Sequence, residues 1–223
     1  MIRLCVFDLD GTTVDSLASI AHFANLTLEE NGFAPFPVDD YRHLAGGGAR
    51  KLWQNIVNAL HADTALQEPM MNRWLSIYEQ DFLWGTRTYD GVPEMLQGLK
   101  DLGVYTAIIT NKAKPIAEKI CFTLFGDAGK LLDECVSDHP GMTLKPAPDE
   151  ILRLMERRGV SKDECVYSGD HTIDMQMARN AGVIACGVTW GFHTREALLN
   201  AGADHIADHP RQIVELVQSS LKI

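Results

Sequence analysis

Apolar residues follow two different rhythms along this chain, and the change between them divides it. Arg3-Leu4-Cys5-Val6-Phe7 is a short β-favouring run that stops at Asp8-Leu9-Asp10-Gly11-Thr12, the pattern of a buried strand feeding a loop. Leu17, Ile20, Ala21, Ala24 and Leu28 then recur at helical spacing until Asn31-Gly32 supplies a stop. From 38 to about 84 only helical patterns occur, first on Leu52, Trp53, Ile56, Val57 and Leu60, then on Met70, Met71, Trp74, Leu75 and Tyr78. Three of the four tryptophans lie in this block, where packing in a small bundle, or in part a place on a ligand cleft, accounts for them.

From Tyr89 helices and strands alternate. A helix opens near Pro93 and stops at Gly103; 104–109 is a continuous apolar strand that runs onto Thr110-Asn111-Lys112, and a helix follows from about Pro115. The pattern repeats with a strand at 134–137, a loop at Lys145-Pro146-Ala147-Pro148 and a helix at 149–158 closed by Gly159. A strand at 164–168 enters Gly169-Asp170, and the next helix stops at Gly182. A fifth strand at 183–188 and two helical patterns, 194–200 and 210–221, finish the chain. This order predicts an α/β fold, a Rossmann-like parallel sheet core flanked by helices, with an inserted small α-helical cap. The predicted division is residues 1–14 plus 86–223 for the core and 15–85 for the cap. Parallel sheets bind ligands outside the carboxyl ends of their strands. Asp8, Thr110, Lys145 and Asp170 each lie at or just beyond such an end, and the helical block is placed to cover them as a lid, moving about connections near 13–16 and 85–88. Asp15 and Ser16 are expected to cap the first lid helix.

Composition narrows the partners. The 223 residues are 46% hydrophobic and 22% charged, enough for a sizeable core and without a disorder signature. A net charge of -10 argues against nucleic acid and anionic membranes. It also means that an anionic substrate needs the field reversed locally, by a metal ion and a lysine. Five cysteines with no C-x-x-C read as free thiols in a reducing compartment, and no leader or membrane-length apolar stretch is visible, so a cytoplasmic protein is expected. The eight histidines show no metal spacing, and His171 and His193 are expected on the surface or rim.

Alternation along a strand would point Asp8 and Asp10 the same way. Two such carboxylates repel unless a hard divalent cation such as Mg²⁺ sits between them. Asp174 lies one helical turn after Asp170, on the same face. Taken singly, Asp170 reads as a helix cap, Thr110 as a strand end, Lys145 as a solvated charge, and Lys112 equally as solvated or site-lining. In the lid, Gly46-Gly47-Gly48 allows close backbone approach to a ligand, and Arg50 can pair with a carboxylate or second phosphate.

The run Asp8 to Ser16, the strand ending in Thr110-Asn111, Lys145-Pro146, and Gly169-Asp170 with Asp174 resemble the four ordered motifs of the haloacid dehalogenase-like phosphatase superfamily. The resemblance spans nearly the whole chain. The helical insertion after the first motif resembles the helical-cap subclass. Gly46-Gly47-Gly48-Ala49-Arg50 and the stretch from Thr189-Trp190-Gly191-Phe192 to Ala203-Asp204 resemble phosphoglycolate phosphatases, while Thr13 and Val136-Ser137-Asp138-His139-Pro140 depart from the family pattern. The resemblance implies Asp8 as nucleophile, Asp10 as general acid and base, and Lys145 as the charge that neutralises nucleophile and phosphoryl group. It implies phosphoryl binding by Thr110 and Asn111. Mg²⁺ would be held by Asp8, the Asp10 carbonyl and Asp170, with Asp174 orienting its shell; Gly47, Gly48 and Arg50 are the candidates for substrate choice. The implied activity is Mg²⁺-dependent hydrolysis of a small phosphate ester, 2-phosphoglycolate first, by a monomer or homodimer. The alternatives are a phosphosugar mutase, another small-molecule phosphatase (sugar phosphate, nucleotide or pyrophosphate), or a catalytically silent binding or regulatory module.

Overall fold

The first apolar run becomes β1 (Leu4–Phe7), a central strand of the main sheet in a computed structural model that describes residues 1–127 and 129–221. The remaining strands are β2 (Val14–Asp15), β3 (Arg87–Thr88), β4 (Tyr105–Ala113), β5 (Glu134–Asp138), β6 (Cys165–Gly169), β7 (Ile184–Val188) and β8 (His205–Ala207). Six of them form one sheet in the order β5-β4-β1-β6-β7-β8, and every pairing in it is parallel. The chain builds outward from β1 to β4 and β5, then crosses to β6 on the other side. The crossing opens a crevice at the carboxyl ends of β1, β4 and β6, where such sheets bind ligands.

Helices α1 (Leu17–Glu30), α2 (Tyr41–Leu44), α3 (Ala49–Ala59) and α4 (Gln67–Gln80) lie between β2 and β3. Then come α5 (Val92–Asp101), α6 (Lys114–Phe125), α7 (Asp149–Arg158), α8 (Thr172–Ala181), α9 (Arg195–Asn200) and α10 (Arg211–Ser220). Strand alternation sorts the core into two layers. Leu4 and Val6 join Ala107, Ile109 and Tyr167 under α7, α8 and α9. Cys5 and Phe7 join Ile108 and Val166 on the opposite face, in a layer continuous with Trp53, Met70 and Tyr78 of the helical insertion. Glycine closes α7 and α8, with Gly159 and Gly182 both left-handed, as helix C-termini favour.

Three local expectations need correction, and the pairing of β2 with β3 adds a feature on which the sequence was silent. β8 is a sixth strand of the sheet, made of only His205-Ile206-Ala207, too short for a hydrophobic period to show. β2 and β3 pair antiparallel, Val14 with Thr88 and Asp15 with Arg87, so the two connections to the insertion form one ladder. β4 does not end before the Thr110 motif but continues irregularly through it to Ala113. Finally, Ser16 makes no capping bond to α1; its hydroxyl donates to Asp10 Oδ1 at 2.5 Å, and Asp15 pairs with Arg87 at 2.9 Å. Of the insertion's tryptophans, Trp53 and Trp74 are buried, whereas Trp84 is exposed and stacks on His22. All five cysteines are free thiols. Among the described residues no helix is long and apolar enough to cross a membrane.

Candidate active site

The loop after β1 is a tight turn. The amides of Thr13 and Val14 donate to the Leu9 carbonyl at 3.0 and 2.9 Å, and Gly11 takes φ +81. Because Asp8 and Asp10 flank this turn instead of lying within β1, their carboxylates diverge. Asp8 Oδ1 accepts from the Leu9 amide at 2.7 Å and from Lys145 Nζ at 2.8 Å. Asp10 turns to Ser16 and to Lys112, whose Nζ lies 3.0 and 3.1 Å from its two oxygens. The two carboxylate side chains thus have separate partners in the folded chain. Lys112 is buried, not solvated.

The carboxylates that do gather are Asp8, Asp170 and Asp174, which offer oxygens within 4.8 Å of one another. Asp170 comes from the end of β6 and is held in place by the Thr12 hydroxyl and the Phe192 amide, both at 2.8 Å. Gly11 and Gly191 press on it so closely that a Cβ at either would collide with its carboxylate. Asp170 is not the helix cap; the cap of α8 is His171, whose Nδ1 accepts from the Ile173 amide at 3.2 Å. Asp174 completes that cap by accepting from the His171 amide at 3.0 Å, and its other oxygen takes Lys145 Nζ at 2.7 Å and the Tyr167 hydroxyl at 3.2 Å.

Lys145 spends its three ammonium protons on Asp8, Asp174 and the Tyr167 hydroxyl. Its backbone is clamped by Asn111, whose Oδ1 accepts from the Lys145 amide at 2.9 Å and whose Nδ2 donates to the Lys145 carbonyl at 3.2 Å. The Asn111 amide is thus used to place the lysine. Thr110 Oγ1 accepts from the Lys112 amide at 3.2 Å, which leaves its own proton available to the cavity.

These charges do not balance. Were all three carboxylates ionised, one ammonium would leave two negative charges, and Asp170 has no lysine or arginine partner among the described residues. Burial, only partly offset by Lys145, pushes Asp8 up from 3.8 to about 7. Asp170 is raised well above the usual carboxylate range by burial and then by Asp174 and Asp8. Burial alone would lower the Lys145 ammonium, but Asp174 and Asp8 hold it above its ordinary value. A buried, all-oxygen cluster, doubly negative when ionised, suits one hard divalent cation.

One cavity collects Asp8, Asp10, Thr110, Asn111, Lys112, Lys145, Asp170 and His171 on its polar side. Facing them are Ile20, Leu52, Trp74 and Leu75 of the insertion. Gly48 lines it, whereas Gly47 and Arg50 do not, and Arg50 is exposed. His171 is half-buried in the cavity wall, in keeping with a rim position: its ring lies against Gly46 and packs on His193 at 3.8 Å. Burial, then the neighbouring His193, lowers it to about 4, so it stays neutral near pH 7. Thr12 and the Gly191-Phe192 turn lie in stretches that carry the resemblance, but their hold on Asp170, like the burial of Lys112 and the capping by His171, comes from three-dimensional contacts that no sequence pattern specifies.

A parallel sheet that gathers acids and a lysine at one mouth, beneath an inserted helical layer, is an α/β architecture with the groups needed to handle a phosphoryl ester. The model of the haloacid dehalogenase-like hydrolase family matches residues 5–188, and the chain belongs to that family. Among curated relatives, it is 34% identical to a phosphoglycolate phosphatase of Agrobacterium fabrum over 85% of this chain and 81% of that protein. It is 27% identical to an N-acetylmuramic acid 6-phosphate phosphatase of Pseudomonas aeruginosa over 99% of this chain and 96% of that one. The fold is shared with a predicted phosphoglycolate phosphatase from Haemophilus somnus, at TM-score 0.88 and 24% identity, covering 97% and 98% of the two chains.

Proposed function

We propose that this protein is a Mg²⁺-dependent phosphomonoesterase that works through an aspartyl-phosphate on Asp8. The observation that carries the reading is the uncompensated cluster of Asp8, Asp170 and Asp174 around one shared lysine. Asp8 and Asp170 would hold the ion with the Asp10 carbonyl, and Asp174 orients the surrounding shell. When bound, the cation neutralises negative charge on the phosphoryl oxygens and on the cluster.

Asp8 Oδ2 attacks phosphorus while the bond to the leaving oxygen breaks. The Leu9 amide and Lys145 fix Oδ1, so the attacking oxygen is aimed before substrate arrives. The Thr110 hydroxyl, whose proton is free, donates to an equatorial oxygen, while Lys145, its protons already engaged, acts through its charge on the nucleophile and the transferring group, where stabilisation of charge is most of the task. The Asp10 carboxyl, turned away from the cluster toward Lys112 and Ser16, passes a proton to the departing alkoxide. It then takes a proton from the water that opens the acyl phosphate, restoring Asp8 and releasing inorganic phosphate. Residues 15–85 act as a cap over this chemistry and 1–14 with 86–223 as the catalytic core.

For substrate, 2-phosphoglycolate is the first choice, supported by the relatives bearing that name. A larger phosphosugar is the second, favoured by the apolar wall of Leu52, Trp74 and Leu75 opposite the charged side and by the full-length relative that acts on N-acetylmuramic acid 6-phosphate. A phosphate-release screen over small phosphorylated acids, sugars and nucleotides with Mg²⁺ tests the reading. Metal-dependent release from at least one class supports it; no release from any contradicts it.

A further inference from the structure

Lys112 is costly where it stands. Its side chain is 5% exposed, and burying an ammonium costs several kcal/mol unless every proton is matched. It has three protons and three acceptors: both oxygens of Asp10, at 3.0 and 3.1 Å, and the Tyr78 hydroxyl at 2.9 Å. Two of the acceptors belong to the loop after β1. The third comes from α4, in the helical insertion.

The two ends of this relay are unequal. The Tyr78 ring is fully buried and gripped by Phe23 of α1 at 5.0 Å and Trp74 of α4 at 5.4 Å, so its hydroxyl has a place set by the packing of the insertion. Asp10 is the more open partner, with a side chain 20% exposed, in the cavity wall. Ser16 pins one of its oxygens, and the two-point contact with Lys112 sets the plane of the carboxylate. Remove the Tyr78 hydroxyl and one buried ammonium proton loses its partner, which frees the lysine to shift.

We propose that Lys112 and Tyr78 are positioning residues for Asp10, so that the carboxyl that exchanges protons with the leaving group is correctly aimed only while the helical insertion is seated on the sheet. Neither residue needs to touch the substrate. The inference rests on the phosphatase reading of the site. It assigns a role to a contact between insertion and sheet that the reaction alone does not require.

The discriminating readout is dependence on the leaving group. An aryl phosphate departs as a stabilised phenoxide and needs little help from an acid, whereas an alkyl phosphate needs its oxygen protonated. Tyr78→Phe deletes one hydroxyl and keeps the ring. With Mg²⁺ and enzyme in excess, single-turnover release of alcohol should fall for the variant so that the alkyl-to-aryl rate ratio drops about tenfold. Lys112→Met should lower the ratio at least as far, and adding Tyr78→Phe to it should lower it no further, because the two act through one contact. A lost overall rate with an unchanged ratio would mean that Tyr78 only stabilises the fold, and would overturn the inference. So would additive losses in the double variant. Should Lys112→Met fail to fold, the ratio for Tyr78→Phe decides alone. If the unaltered protein releases alcohol from neither ester, it is the phosphatase reading that falls.

Discussion

Asp8 carries a conflict that chemistry can use. It is buried beside two other carboxylates, and one lysine cannot satisfy all three. Asp8→Asn keeps the shape and removes the nucleophile, so turnover should fall at least about 10³-fold while the melting temperature holds or rises; substantial remaining turnover would reject the assignment. Acidity gives a second check. With Asp8 raised from 3.8 to about 7, the metal-free folded chain holds a proton there that the unfolded chain has released. Its contribution to stability is therefore full below about pH 4 and is lost as pH rises through about 7. In metal-free buffer the melting temperature of the unaltered protein should fall over that window relative to Asp8→Asn, which does not titrate. Because the cation needs ionised Asp8 and Asp170, its affinity measured by calorimetry should weaken as pH drops below about 7. The places of Asp8 and Asp170 were legible because each directly follows a strand, whereas Lys145, several residues beyond β5, was picked out only by the joint resemblance of the four motifs. The burial of Lys112 and the capping by His171 were not legible. A lysine next to a motif has no periodicity, and what buries it is Tyr78, a residue 34 positions away in sequence.

At the scale of elements, the acidic centre depends on turns as much as on acids. Gly11, at φ +81, and Gly191 both approach the Asp170 carboxylate with no room for a Cβ. Gly191→Ala should push Asp170 out of place and weaken divalent-cation binding markedly, with a smaller loss of melting temperature. Unchanged metal affinity would show that the turn does not shape the site. The ladder of β2 with β3 makes a contrasting case. Its Arg87–Asp15 pair is largely exposed on the arginine side, and such pairs contribute about 0–1 kcal/mol, so Arg87→Ala should leave thermal stability nearly unchanged. Helices such as α7, with its apolar stripe and terminal Gly159, were readable to the residue. β2, β3 and β8 were not, because two or three residues carry no period; their partners, not their composition, make them strands.

For the molecule as a whole, the sheet supplies the polar side of the cavity and the insertion the apolar side, with Arg42 of α2 donating to the Gly191 carbonyl at 2.9 Å across the seam. A lid that moves about the paired connections should close on ligand. Hydrogen exchange at 13–16 and 85–88 should slow when Mg²⁺ and a phosphate analogue are added together, and unchanged exchange would count against such motion. The alternation of strands and helices, the parallel sheet and the presence of the insertion were legible from the hydrophobic pattern, whereas the order of strands across the sheet was not. Nor was the facing of Arg50, since a helix stripe says which residues are buried but not which exposed one turns to the cleft.

The most direct test of the central claim is rapid acid quenching during turnover, followed by mass analysis of the peptides. The account predicts alcohol release ahead of phosphate, with one phosphoryl group carried transiently on the peptide containing Asp8 and absent in Asp8→Asn. Alcohol and phosphate appearing together with no phosphorylated peptide, or a phosphoryl group on any other residue, would contradict it.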